Sequence, residues 1–132
     1  MTKLVMGGSA VAMVIPGLAG TFAPHELLRA LGIPASGALP VVVQLTAALY
    51  LGFAMLNWMA RDSLIGGIYN RPVAIGNLVH FVVGALALLK YVRSAPPLLL
   101  GVTVVYAVFA IAFGMVMFTS PVKSHRQTGA GT

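Results

Sequence analysis

The chain is 132 residues long, 59% hydrophobic and 8% charged, with no cysteine and a formal charge of +6. A water-facing domain carries about 25% charged residues, so this composition excludes a soluble globule and points to a membrane. Absent cysteines exclude disulfides and thiol chemistry, and the eight Lys and Arg are scattered singly rather than gathered into a basic stripe, which excludes nucleic acid as a partner.

Four apolar runs follow one another, at residues 4–22, 39–60, 73–89 and 97–119. A hydrocarbon core of about 30 Å takes roughly 17 to 25 helical residues, and each run fits that range. Every Lys, Arg, Asp and Glu falls outside the four runs, as expected where a mid-bilayer charge costs at least ~2.5 kcal/mol. No run alternates with period two, and lipid offers the backbone no partners, so the spans should be helices. The predicted fold is all-α, an integral membrane four-helix bundle in a single domain of residues 1–120.

In the first run, Gly8, Ala12, Pro16 and Gly20 recur at steps of four and predict a close-packing face. Pro16 is expected to bend this helix. Lys3 ahead of the apolar run also resembles a secretory signal peptide, but the run exceeds the usual ~7 to 15-residue core, which favours an uncleaved helix. Next, Pro24 can start a short helix in which Glu26 and Arg29 stand at i,i+3. Leu27, Leu28 and Leu31 share a side, and Gly32 ends the turn. This predicts an interfacial helix that closes one end of the bundle or acts as a lid, with His25 solvated.

Ser36 and Pro40 introduce the second run, whose small pair is Ala48 and Gly52. Tyr50, Asn57 and Arg61 recur at +7 and +4, within about 20° of one helical face. Asn70-Arg71-Pro72 starts the third run, where Asn77 and His80 are i,i+3 neighbours and Gly76 and Gly84 leave a slot on either side of the imidazole. Antiparallel neighbours bring these five residues into one leaflet, with Asp62, Tyr69, Asn70 and Arg71 at the rim beside Gly66-Gly67. The group has two readings. Its members hydrogen-bond across helices, with Trp58 and Tyr69 in the interfacial belt and Arg61 on Asp62 or lipid phosphate; or they converge on the polar head of an amphipathic molecule, a quinone or a lipid. Ser94-Ala95-Pro96-Pro97 opens the fourth run, which carries Ala110 and Gly114 and stops at Ser120-Pro121. Residues 121–132 are small and polar, a disordered tail by composition.

The run P-H-E-L-L-R-A-L-G-I-P, Pro24 to Pro34, follows one apolar helix and precedes another with Tyr50, Gly52 and an Ala60-Arg61 ending. In this first half the chain resembles small four-helix bacterial membrane proteins of the DoxX-like type. The resemblance implies that architecture and a setting near quinone-coupled sulfur oxidation or membrane redox complexes. None of that family's functional residues has a match here.

Catalysis finds no foothold. His80 is the sole histidine within a run, too few for a bis-imidazole haem in one chain. No His/Asp/Glu cluster offers a metal site, no carboxylate lies within a span, and neither an activated nucleophile nor a glycine-rich phosphate loop is present. No catalytic residue and no cofactor are predicted, apart from a quinone or bound lipid in the amphipathic-molecule reading. The expected role is a non-catalytic accessory or structural subunit among membrane lipids, beside other membrane subunits or as a homo-oligomer; the alternative is binding or transport of a small amphipathic molecule, a quinone or a lipid, in a polar pocket between the second and third runs. With four spans, Lys3, Arg61, Arg71, Lys123 and Arg126 share one side, against Arg29, Lys90 and Arg93. The positive-inside bias then places both termini in the cytoplasm, and the resemblance implies a bacterial inner membrane.

Overall fold

A computed structural model describes residues 2–62, 70–94 and 96–119. Its elements are α1 (Thr2–Phe22), α2 (Pro24–Ala30), α3 (Leu39–Ala60), α4 (Asn70–Tyr91), a 3-10 turn at Val92–Ser94 and α5 (Pro97–Thr119). The architecture is all-helical among the described residues, and four of the helices are long and apolar enough to cross a membrane. Tyr69, Gly66, Gly67 and the predicted tail lie outside the described residues.

Two helices outrun their apolar spans. α1 starts at Thr2, and α4 runs from Asn70 to Tyr91 where residues 73–89 were expected. Hydropathy marks where hydrocarbon would begin, whereas the backbone goes on winding through polar flanks; Lys90 in the last turn of α4 suits the negative end of the helix dipole. α1 passes through Pro16 as one continuous helix. α3 takes no side-chain cap: Ala38 is its N-cap, and Ser36 contributes its backbone carbonyl to Leu39 N at 3.3 Å.

α2 forms and stops as its sequence predicts. Pro24 and Leu28 are buried while His25, Glu26 and Arg29 are exposed, and Arg29 lies 3.5 Å from Glu26. Gly32, at φ +72°, reverses the chain, with Ile33 N donating to Leu28 O and Gly32 N to Arg29 O, both at 2.9 Å. That double bond pattern satisfies the last carbonyls of the helix. α2 packs on α1 and α3.

α1 pairs with α3 and α4 with α5, and fewer contacts join the two pairs. The pairs use different packing chemistry. Along α1 the buried residues are Met6, Ser9, Ala10, Met13, Gly17 and Gly20, and all but Ser9 follow the alternating three-and-four spacing of helices that cross at a shallow angle. A Cβ on Gly17 would come within 2.7 Å of Leu51 Cδ2, and one on Gly20 within 2.8 Å of Ala47 Cβ. The α4–α5 seam is aromatic: Phe81 stacks on Phe109 and Phe113, with ring centres 5.0 and 5.7 Å away. Of the expected small-residue stripe on α1, only Gly20 is buried, while Gly8 is exposed with Phe109 3.7 Å from its Cβ position. On α3 the buried alanines are Ala47, Ala54 and Ala60, and the expected Ala48 and Gly52 face outward. Steps of four drift around a helix, whereas the observed spacing holds one face toward a neighbour.

Candidate functional site

Asn57 of α3 and Asn77 of α4 are both 0% exposed. Each amide serves the other: Asn57 Nδ2 donates to Asn77 Oδ1 at 2.7 Å, and Asn77 Nδ2 to Asn57 Oδ1 at 2.6 Å. The second N–H of Asn57 finds Ser9 Oγ at 2.9 Å, with Met13 Sδ alongside at 3.8 Å, and that of Asn77 finds Val73 O at 2.8 Å. Ser9 Oγ in turn donates to Met6 O. All four amide N–H groups are thus used within the protein, tying α1, α3 and α4 together. No donor of the pair is left for a ligand. Ser9 is absent from the residues that spacing predicts; a lone hydroxyl in the first turns of an apolar helix was its only mark.

Farther along α3 and α4, His80 is half-buried in an aromatic setting. Its Nε2 lies 3.1 Å from the Tyr106 hydroxyl, and that hydroxyl is hydrogen-bonded to Tyr50. Phe53 stacks near the imidazole at 5.4 Å between ring centres, and Tyr50 and Phe81 meet it edge-on at 5.5 and 5.2 Å. The glycines flanking His80 leave space, as the sequence predicts, but protein occupies it. Phe53 comes to 3.6 Å from the Cβ position of Gly76, and the ring of Tyr106 lies directly against Gly84. Tyr106 links α5 to the group and was not among the predicted residues. Its signal was available: it stands mid-run, remote from both interfaces, where a buried hydroxyl demands a partner.

At the α3 C-terminus Arg61 and one of the expected rim residues, Asp62, form a charged cluster with Lys3, which the spacing does not single out. Lys3 Nζ lies 2.7 Å from Asp62 Oδ1, and Arg61 Nε 3.2 Å from Asp62 Oδ2. The Arg61 guanidinium covers the Trp58 ring at 3.5 Å, and its Nη1 is buried without a hydrogen-bond partner among the described residues. The Lys3 hydrogen bond holds the Asp62 carboxyl below its ordinary pKa, aided by the nearby positive charges. Arg71 is exposed, and Asn70 is described through its backbone as the first residue of α4.

The five residues predicted to converge therefore divide into an amide pair (Asn57, Asn77), an aromatic hydrogen-bonded chain (Tyr50, His80, joined by Tyr106) and a rim guanidinium (Arg61). Comparison with protein-family models, with curated proteins and with solved structures finds no match.

Proposed function

We propose that the chain is a non-catalytic accessory or structural subunit of a membrane assembly, crossing a bacterial inner membrane four times with both termini in the cytoplasm. One observation carries the reading: the most buried polar side chains, Asn57, Asn77 and Ser9, are consumed in bonds to one another, which is how a membrane helix assembly holds its register. The outer faces are apolar, with Leu45, Leu49, Met59 and Phe118 more than 60% exposed, a surface suited to acyl chains and to neighbouring helices. The resemblance of the Pro24–Pro34 run to DoxX-like proteins agrees with a small subunit beside a redox complex. In this reading the helices close as a bundle.

Native purification in a mild detergent, followed by mass analysis of proteins and small molecules, tests the role. A second membrane protein in fixed stoichiometry is the expected result. A homo-oligomer with no partner protein would replace the subunit role with a self-contained one.

A further inference from the structure

Three groups at the centre of the helices, Tyr50, Tyr106 and His80, make two hydrogen bonds. Each phenol carries one proton and the neutral imidazole carries one, so a chain of two bonds always leaves one proton over. A phenol is the better donor and an imidazole nitrogen the better acceptor. The favoured order is therefore Tyr50 O–H to Tyr106 O, and Tyr106 O–H to His80 Nε2, which leaves the proton on Nδ1. Among the described residues Nδ1 has no hydrogen-bond partner. In hydrocarbon no water takes that place, so an unmet N–H is costly there.

His80 stands at the margin of the buried face of α4. Phe81 and Asn77 lie on its inner side, and the exposed Val79 and Val83 on its outer side. Across the seam, Tyr50 and Phe53 of α3 are likewise half-buried, and this is where the two helix pairs touch only lightly. The seam thus offers aromatic walls and one donor at the lipid boundary.

We propose that His80 Nδ1 donates a hydrogen bond to the oxygen of a lipophilic carbonyl compound that enters between α3 and α4 from the bilayer interior. Depth identifies the source. His80 is seven residues past the start of the apolar run 73–89 and nine before its end, roughly 10 Å and 13 Å from the two hydrocarbon edges along the helix and so near the middle of the span. Phospholipid ester carbonyls lie at those edges, about 10 Å or more away, and do not reach it. The ligand is therefore a neutral molecule free to place its oxygen deep in the membrane.

The proposal is independent of the subunit role, because it is tested on the isolated chain. Protein with His25 and His125 replaced by Gln, labelled with 15N-histidine and held in phosphatidylcholine nanodiscs, is titrated with a decyl-substituted 1,4-benzoquinone and, separately, with decylbenzene. The quinone should move the His80 Nδ1 resonance in a saturable manner, and decylbenzene should leave it in place. His80→Phe, which keeps the ring and removes both nitrogens, should lower retention of the quinone about fivefold, the worth of one ordinary hydrogen bond. An unmoved resonance, an equal response to decylbenzene, or full retention by folded His80→Phe protein would overturn the assignment. Should His80→Phe fail to fold, the resonance titration decides alone.

Discussion

Asn57 and Asn77 show how a single polar residue acts in an apolar chain. Replacing Asn57 with Leu strands an Asn77 carbonyl and N–H and deprives Ser9 of a partner, with no water to take over. Asn57→Leu should lower stability by about 1–2 kcal/mol in a detergent or denaturant titration. The double variant Asn57→Leu, Asn77→Leu should cost less than the two singles combined, by about 0.5–1 kcal/mol, because it removes both members of the pair. Strict additivity would mean that the reciprocal bonds contribute nothing. At this scale the sequence is legible through its exceptions: Asn57, Asn77 and His80 stand out because hydrocarbon tolerates few such groups. Which of them pair is not legible, since the outcome depends on helix rotation and on residues from other helices. Ser9 and Tyr106 supply the decisive contacts, and neither falls within the spacing that relates Tyr50, Asn57 and Arg61.

Helix boundaries are legible where residues have one conformational use, as Gly32 does at the end of α2, and the four long helices follow from apolar length. Helix faces are not. In a soluble helix the polar side identifies the buried side by contrast, whereas here both sides are apolar and small residues occur on each. Gly20 and Gly52 make the difference measurable. Gly20→Leu would drive a side chain into Ala47 and Val43 and should cost about 1–3 kcal/mol by overpacking. A Cβ on Gly52 meets nothing within 4 Å, so Gly52→Leu extends into open space and should not lower the unfolding midpoint in the same titration. Equal effects would mean that α1 and α3 meet through other faces. The start of α1 is also tied to the end of α3, through Lys3 and Asp62. Because the folded state holds the Asp62 pKa below its ordinary 3.8, the pair stabilises the fold above that value. Its contribution is lost as the pH falls through the ordinary value and then the folded one. Native protein should therefore exceed Asp62→Asn in thermal midpoint at pH 7, the difference should close below about pH 4, and it should shrink in high salt because both partners are exposed.

At the scale of the whole molecule, sidedness rests on a small excess of positive charge. Five Lys or Arg lie at the end that contains the start of α1, the end of α3 and the start of α4, or in the segment after α5, against three at the opposite end. The Lys3–Asp62 bridge fixes the first two of these termini together, so the sides of α1 and α3 do not have to be inferred from hydropathy alone. Orientation is then a question of which end faces the cytoplasm, and a chain without cysteine can be probed one introduced thiol at a time. Thr2→Cys at the start of α1 and Ala30→Cys at the end of α2 are charge-neutral and stand on opposite sides of the spans, so neither disturbs the bias that it measures. A membrane-impermeant maleimide applied to intact cells should modify Ala30→Cys and spare Thr2→Cys, while a permeant maleimide should modify both. The reverse pattern would place the termini outside. Modification of both by the impermeant reagent would mean that the chain inserts in both directions. A five-to-three imbalance permits that outcome more readily than a stronger bias would, since orientation follows the difference in Lys and Arg between the two sides. Adding one Lys at the Arg29 end should then shift the labelling of Thr2→Cys toward exposure, and adding one at the Lys3 end should suppress it.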